Sequence, residues 1–153
     1  VKEYIKRLGK EEDFKISKDA TEAVMRVSEG DLRRVTNILQ TASINNEEIE
    51  EDVYGVAASL RPEEIHEILE KSLNGDFIEA REELADLMID RGLDGQDVIS
   101  SIHREIFELD ISDEGKLEIM EKLGEFEFRI SEGGSSDIQI EALLAQISNL
   151  EEN

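Results

Sequence analysis

Apolar residues recur every three or four positions along almost the whole chain, whereas the strict apolar–polar alternation of a half-buried strand is almost absent. A period near 3.6 residues is typical of amphipathic helices, so the pattern predicts an all-α fold. Four helical segments precede the single proline and five follow it. We expect the first four at about residues 1–8, 18–29, 32–42 and 53–57, with a turn at Asn45-Asn46, and the others at about residues 62–73, 77–91, 95–109, 113–130 and from 137 on.

The stretch that ends in Pro62 divides this pattern into two parts. Proline favours the first position of a helix, and the residue before it prefers an extended backbone. We therefore place a domain boundary here. The sequence predicts a small helical domain at residues 1–60 and a five-helix bundle at residues 61–153.

Several polar residues stand where helices should begin or end. Ser17, Asp31 and Ser112 each precede an apolar period and are good N-cap residues. Glycine after an apolar period is typical of a helix end, so we expect the helices to stop at Gly9, Gly30, Gly75 and Gly92. Two pairs have the spacing of a capping box, in which the first and fourth residues bond each other's backbone N–H. These pairs are Asp76 with Glu79 and Ser136 with Gln139.

The segment at residues 114–130 has more apolar surface than one buried stripe requires. One stripe comprises Ile119, Leu123, Phe126 and Ile130, and beside it lie Leu117, Met120 and Phe128. A broad apolar face is typical of a helix in the middle of a bundle. It is also typical of a helix shared between its own core and a partner subunit.

Composition excludes several classes of function. The formal net charge is −22, from 39 acidic and 17 basic residues, and cysteine is absent, which excludes disulfides and thiol catalysis. So acidic a balance argues against a nucleic-acid surface, which needs clustered lysine and arginine. No apolar run approaches the ~20 residues of a membrane span, so we expect a cytoplasmic protein without membrane contact. Because Val1 already lies within a helical pattern, we expect the chain to be part of a larger protein.

Two adjacent arginines, Arg33 and Arg34, follow the predicted N-cap Asp31. The start of a helix carries partial positive charge, so cations are locally unfavourable there. One explanation is an anion outside the sequence, because a helix N-terminus with arginine suits a phosphate. The other is pairing of both side chains with acidic neighbours such as Glu29 and Asp31. The local residues leave the two explanations equal.

Other candidate chemistry is weak. Glu63 and His66 have the Glu-x-x-His spacing of di-iron bundles, but His103 has Ser100 three residues before it, so no second motif completes that site. We expect no metal site and interpret both histidines as surface or helix-flank residues. The glycine-rich stretch at residues 131–137 lacks the lysine of a phosphate loop. We therefore expect no catalytic residues in this chain.

The sequence Gly-Asp-Leu-Arg-Arg at residues 30–34, followed by Asn-Ile-Leu-Gln at residues 37–40, resembles the sensor-2 segment of clamp-loader AAA+ ATPases. The most similar family is the archaeal replication factor C small subunit, in which methionine is commoner than Leu32. Further segments resemble the C-terminal half of that family in order and spacing, so the resemblance covers essentially the whole chain. They are residues 75–81, 102–107, 128–133 and 139–144.

The resemblance implies a role for each part of the chain. Residues 1–60 would be the helical lid of an AAA+ module, and residues 61–153 the collar that joins subunits, small and large, into a ring. Arg33 would be the sensor-2 arginine that reaches the phosphate of ATP, whereas Arg34 has no assigned role. The second apolar stripe would then face a neighbouring subunit.

The resemblance also implies what lies elsewhere. The phosphate loop, the acidic Mg-binding motif and the arginine finger belong to the N-terminal part of the family. ATP with Mg, the sliding clamp and primer–template DNA would be bound through that part. The whole protein would be a DNA-dependent ATPase, but this chain would not be an enzyme and would bind no ATP tightly. A helical scaffold or adaptor without a nucleotide role is the alternative, and a helical metalloenzyme a more distant one.

Overall fold

Helices dominate the computed structural model, which describes residues 1–44, 48–49, 53–57 and 59–150. The all-α prediction is confirmed, and the described residues form nine α-helices and one short 3-10 helix. They group into two compact units, Val1–Ser59 and Leu60–Asn153, a division beside the predicted boundary. The identities of these units as lid and collar stay predictions. The predicted turn at Asn45-Asn46 lies outside the described residues.

Unit 1 contains four helices and a minimal strand pair. The elements are α1 (Lys2–Glu11), β1 (Lys15–Ile16), α2 (Lys18–Ser28), α3 (Leu32–Ser43), β2 (Glu48–Ile49) and α4 (Val53–Val56). Helix α2 packs against α1, α3 and α4. The core consists of the apolar faces of these elements, with Ile5, Val24, Val27, Val35 and Leu39 fully enclosed. The two strands pair in parallel, Lys15 opposite Glu48 and Ile16 opposite Ile49, which the sequence pattern did not predict.

Unit 2 is a bundle of five helices. The elements are α5 (Pro62–Leu73), α6 (Phe77–Arg91), α7 (Gly95–Glu105), a 3-10 turn (Ile106–Glu108), α8 (Asp113–Ser131) and α9 (Ser136–Ser148). Helix α9 lies at the centre, in contact with α5, α6, α7 and α8. Its Ile140, Leu143, Leu144 and Ile147 are buried for that reason. The predicted start at Pro62 and stop at Gly92, where φ is +63°, are confirmed.

Two predicted helix ends were wrong. Helix α1 continues through Gly9 to Glu11, because Gly9 serves packing and not termination. A Cβ at Gly9 would lie 3.0 Å from the carbonyl oxygen of Phe14, so the missing side chain lets the following loop approach the helix. Helix α7 ends at Glu105, and the expected continuation to Leu109 is the separate 3-10 turn.

Both predicted capping boxes were wrong. Asp76 has ψ of 51°, not the extended backbone of a working N-cap, and its side chain makes no cap bond. At α9 the N-cap is Ser135, so Ser136 lies one residue inside the helix. The side-chain oxygens of Ser136 and Gln139 are buried without a partner among the described residues. The capping box that does form joins Asp94 and Asp97 at α7.

Candidate functional site

A tight turn in unit 1 sets the start of α3. Helix α2 ends at Ser28, and Glu29 follows in the left-handed region with φ of 52°, uncommon for a residue other than glycine. Gly30 continues the turn with φ of 85°. The backbone N–H of Asp31 then donates to the carbonyl oxygen of Ser28 at 2.9 Å. The turn therefore fixes where Asp31 and the first turn of α3 lie relative to α2.

Asp31 is the N-cap of α3, as the sequence predicted. Its carboxylate accepts the backbone N–H of Arg33 at 2.9 Å and that of Arg34 at 3.2 Å. Two of the donors that a helix N-terminus leaves open are thus already bonded. An anion at this place would be held by a guanidinium group and not by these two amides.

The side chains of Arg33 and Arg34 are both exposed. Neither guanidinium has a carboxylate within 4.0 Å among the described residues. The explanation by pairing with Glu29 and Asp31 is therefore wrong for this part of the chain. In the described residues these two cations therefore stand without a carboxylate at the positive end of a helix, which is the arrangement that an external anion would stabilise.

Helical geometry separates the two arginines. On a turn of 3.6 residues, Arg33 lies roughly 170° from the centre of the buried face of α3, and Arg34 only roughly 90° from it. That buried face carries Val35, Ile38, Leu39 and Ala42. Arg33 therefore projects directly away from the core of unit 1, while Arg34 lies at the flank.

Asn37 and Gln40 lie on the same outward face as Arg33, within roughly 40° of it on the helical wheel. Both are exposed. Arg33, Asn37 and Gln40 thus form one exposed polar face of α3. The spacing i, i+4, i+7 already carries this signal in the sequence, but it was not used to group the three residues.

A hydrogen-bond chain anchors the start of α3. The hydroxyl of Thr36 donates to the carbonyl oxygen of Leu32 at 2.9 Å. Because its proton is used there, the hydroxyl of Tyr4 donates to Thr36 Oγ1, at 2.7 Å. This contact from α1 holds the first turn of α3 in place, and no feature of the sequence indicated it.

A second candidate surface lies on α8. Ile119, Leu123 and Phe126 are buried, whereas Leu117 and Phe128 are 61% and 66% exposed. Gly124 lies between them along the same face, and a Cβ there would meet nothing within 4 Å. We call Leu117, Gly124 and Phe128 the α8 outer face. Met120 is half-buried beside it.

Both histidines lie at the surface or flank of their helices, as predicted: His103 is exposed and His66 is half-buried. The sequence did not indicate that His66 Nε2 lies 3.3 Å from Oε2 of Glu105, whose side chain is 6% exposed. His66 thus joins α5 to α7. In the described residues, no three His, Cys, Asp or Glu side chains group as metal ligands, and no helix is long and apolar enough to cross a membrane.

Comparison with known proteins bears on both surfaces. The family described as Replication factor C C-terminal domain matches residues 60–146. Replication factor C small subunits are similar along nearly the whole chain. Methanococcus maripaludis strain S2 has one that is 45% identical over 97% of this chain, and the Thermococcus kodakarensis protein is 39% identical over 94%. That of Haloarcula marismortui is 36% identical over 97%.

The matched region is only part of each relative. It covers 48% of the Methanococcus maripaludis protein, 46% of the Haloarcula marismortui protein and 17% of the Thermococcus kodakarensis protein. The chain thus spans about half the length, or less, of these curated relatives.

Proposed function

This chain belongs to the replication factor C family, and on that premise we propose that it supplies the lid and collar of a clamp-loader small subunit. Residues 1–60 are the lid and residues 61–153 the collar in this proposal. The lid contributes one arginine to ATP bound elsewhere in the same subunit, and the collar holds subunits together. The whole protein uses ATP binding to open a sliding clamp and hydrolysis to release it on primed DNA.

One observation carries the nucleotide role. The guanidinium of Arg33 is exposed, lacks a carboxylate partner in the described residues and projects away from its own core. In the family's Gly-Asp-x-Arg motif, the first arginine reaches the nucleotide phosphates. Arg33 occupies that position, so we assign it the sensor-2 role and leave Arg34 without one.

The rest of the nucleotide site lies outside this chain in our proposal. ATP and Mg are bound by the phosphate loop and acidic motif of the N-terminal part, and this chain adds charge stabilisation through Arg33. We therefore expect the chain by itself to hydrolyse no ATP. Calorimetric titration with ATP and Mg should give no micromolar affinity, and such an affinity would contradict this division of labour.

The test compares Arg33→Ala with Arg34→Ala in the full-length protein. A hydrogen bond to a charged group contributes roughly 1.5–3 kcal/mol, so losing it weakens nucleotide engagement about ten- to a hundredfold. ATP-dependent clamp loading should fall by that factor for Arg33→Ala and far less for Arg34→Ala. Arg33→Lys should keep part of the response, because lysine retains the charge but not the fork of donors.

The matched substitution at Arg34 makes this test decisive. Both changes remove one charge from adjacent, exposed positions of the same helix, so a general electrostatic effect would weaken both proteins equally. Equal losses would show that Arg33 is not the phosphate contact and would favour the scaffold or adaptor alternative. Melting temperatures measured in parallel exclude unfolding as the cause.

For assembly, we infer that the α8 outer face contacts a neighbouring replication factor C subunit, small or large. Exposed Leu117 and Phe128 support this, and Gly124 adds to it. Glycine in a helix interior costs about 1 kcal/mol relative to alanine, and among the described residues no atom would lie within 4 Å of a Cβ at Gly124. A partner helix that approaches closely would use that space. The clamp and primer–template DNA are contacted through the N-terminal part in this proposal.

Charge predicts how such association responds to salt. Copies with a net charge of −22 repel each other, and salt screens that repulsion over a Debye length of ~10 Å at 0.1 M. Self-association measured by sedimentation should therefore strengthen as salt rises, and Phe128→Asp should weaken it. Ile78→Asp, an equally exposed apolar residue on α6, is the matched control. A monomer under all conditions would reject self-association through this face, without bearing on Arg33.

A further inference from the structure

The peptide group between Leu32 and Arg33 is held at both of its ends. Its N–H donates to the carboxylate of Asp31 at 2.9 Å, and its carbonyl oxygen accepts the hydroxyl of Thr36 at 2.9 Å. Because a peptide group is planar, fixing both ends fixes the orientation of the whole plane. The Cα atom of Arg33 lies in that plane, so its orientation limits the directions in which the side chain can leave the helix.

Tyr4 connects this peptide group to another helix. Its hydroxyl lies 2.7 Å from Thr36 Oγ1, although the two residues are 32 positions apart in the sequence. Thr36 Oγ1 thus accepts one hydrogen bond and donates another, and hydrogen bonds linked in this way polarise and strengthen each other. The chain of bonds runs from Tyr4 through Thr36 to the carbonyl of Leu32. Helix α1 therefore acts directly on the residue before Arg33.

The ring of Tyr4 is fixed by contacts that do not involve its hydroxyl. It is half-buried and packs against the core of unit 1. The guanidinium of Arg7 lies 5.4 Å from the centre of the ring, within the range of a cation–π contact. Arg7 in turn pairs with Glu11 at 3.7 Å. A phenylalanine at position 4 would keep these contacts and lose only the bond to Thr36.

The side chain of Arg33 has no comparable anchor of its own. It is exposed, and within the described residues neither a hydrogen bond nor an ion pair holds its guanidinium. Arginine is long and has many rotamers, so its reach towards a fixed phosphate depends on where its Cα and Cβ lie. The backbone at the start of α3 therefore sets the direction from which the guanidinium begins.

We propose that Tyr4 is a positioning residue, which acts through Thr36 to direct Arg33 towards the nucleotide phosphate. This inference rests on the sensor-2 role proposed for Arg33 and adds a residue of α1 to that role. Tyr4 itself touches no nucleotide. It narrows the range of directions open to the guanidinium before the phosphate is bound, and a displacement of about 1 Å in a positioned group can cost a factor of about 100 in rate.

The place of the hydroxyl pair favours positioning over a role in folding alone. Thr36 follows Arg33 by three residues, so the two are neighbours on the surface of α3. The apolar residues Val35 and Leu39 are fully buried and already hold α3 on its unit. A neutral hydrogen bond at the edge of that core favours one arrangement over others by a factor of only about two to ten. Such a factor suits the adjustment of one turn.

The test measures binding of ATPγS, a slowly hydrolysed ATP analogue, to the full-length protein by calorimetry. Tyr4→Phe should weaken binding about three- to tenfold, which is less than the loss expected of Arg33→Ala. Thr36→Val should weaken it at least as much, and Thr36→Ser, which keeps the hydroxyl, should restore most of the affinity. Circular dichroism confirms that the variants are folded.

Thr21→Val is the matched control. The hydroxyl of Thr21 also donates to the carbonyl four residues earlier, that of Ser17, at 2.8 Å, but at the start of α2. Its removal takes away the same kind of bond and should leave ATPγS binding unchanged. A loss equal to that of Thr36→Val would show that any weakened helix start in unit 1 has this effect, and would overturn the positioning role.

The double variant Tyr4→Phe/Arg33→Ala separates positioning from packing. If Tyr4 acts through Arg33, Tyr4→Phe should add almost nothing once the arginine is gone. The positioning role is overturned if Tyr4→Phe leaves binding unchanged while Arg33→Ala weakens it, or if Tyr4→Phe costs the same factor with and without Arg33. If Arg33→Ala itself leaves binding unchanged, the sensor-2 role fails first and the positioning role fails with it.

Discussion

The two units use their positive charges in opposite ways. In unit 2 most basic side chains bond to groups of the same unit: Arg61, Lys71, Arg81, Arg91 and Arg129 pair with glutamates, and Lys116 donates to a backbone carbonyl. In unit 1, Arg33, Arg34 and five lysines have no carboxylate within 4.0 Å among the described residues; the lysines are Lys2, Lys6, Lys10, Lys15 and Lys18. Three cations in unit 2, Lys71, Arg81 and Arg91, therefore join neighbouring helices, whereas the seven cations named in unit 1 have no such partner in the described residues.

Net charge sharpens the contrast. Unit 1 has nine basic and thirteen acidic residues, a net charge of −4, and unit 2 has eight and 26, a net charge of −18. The unit with fewer acids per cation is the one in which seven cations have no carboxylate within 4.0 Å among the described residues. Abundance of acids therefore does not decide which cations pair. Pairing follows position instead. Lys71, Arg81 and Arg91 pair where two helices meet, which brings side chains of both within reach. Other cations pair with a glutamate three or four residues away, as Arg129 does with Glu125.

The largest expected effect is at Arg91. Its guanidinium forms two hydrogen bonds to the carboxylate of Glu64, at 2.6 and 2.5 Å, and both side chains are less than one-fifth exposed. Arg91→Met should lower the free energy of unfolding of unit 2 by about 2 kcal/mol, because the half-buried Glu64 loses both short hydrogen bonds and keeps only the 3.6 Å contact to Arg61. The double variant Arg91→Met/Glu64→Met should recover much of the loss in calorimetric unfolding. If Arg91→Met were as stable as the parent, this ion pair would not stabilise unit 2, and the contrast between the cations of the two units would lose its main support.

A smaller effect is expected at Lys71, which pairs with Glu83 at 2.6 Å and with Glu67 and Glu79. These bonds, that to Glu83 first, raise the pKa of Lys71 above its ordinary value of 10.5. The stabilisation is therefore complete below the ordinary value and is lost only as pH rises through the higher folded pKa.

Lys71→Met should thus destabilise the chain in urea by the same amount at pH 7 and 9.5, with the difference shrinking above about pH 10.5. Lys122→Met, which removes a lysine of α8 without an ion pair in the described residues, is the control and should change little. A difference that already shrinks between pH 7 and 9.5 would mean that the three carboxylates are not what stabilises Lys71.

The smallest effect is expected at Arg33. Removing an exposed cation from the first turn of α3 should change the free energy of unfolding by less than about 0.5 kcal/mol, with a slight gain. Urea unfolding of Arg33→Ala and Arg91→Met, measured in one series, compares the loss of an exposed cation in unit 1 with the loss of an ion-paired cation in unit 2. A loss above about 1 kcal/mol at Arg33 would show that its guanidinium is bound within its own unit.

Local sequence signals predicted the structure correctly where the conformation depends on only a few neighbouring residues. Ser17, Asp31 and Ser112 cap their helices because each has an extended backbone just before an apolar period. Asp76 failed because its N–H donates to the carbonyl of Lys71 at 2.9 Å, which closes the preceding helix end and leaves ψ near 51°. The end of one helix thus prevented Asp76 from capping the next.

Tertiary contacts account for what the sequence did not predict. At the start of α9, Ser136 lies against Gly95 so closely that a Cβ on Gly95 would be 1.9 Å from Ser136 Oγ. That packing between α7 and α9 holds the serine inside the helix. The outward direction of Arg33 could be read from its spacing to Val35 and Leu39. Its lack of an acidic partner could not, because pairing depends on where neighbouring side chains lie.

The short parallel pair of unit 1 has a consequence for the order of folding. Ile16 meets Ile49, and the N–H of Ser17 donates to the carbonyl of Ile49 at 3.1 Å. Closing the intervening loop costs about 3 kcal/mol of chain entropy, more than so few hydrogen bonds return at about 1 kcal/mol each. The strands therefore join only after α2 and α3 have docked and shortened the effective loop. They close late in folding and separate early in unfolding, so substitution of Ile49 should speed unfolding while leaving the folding rate almost unchanged.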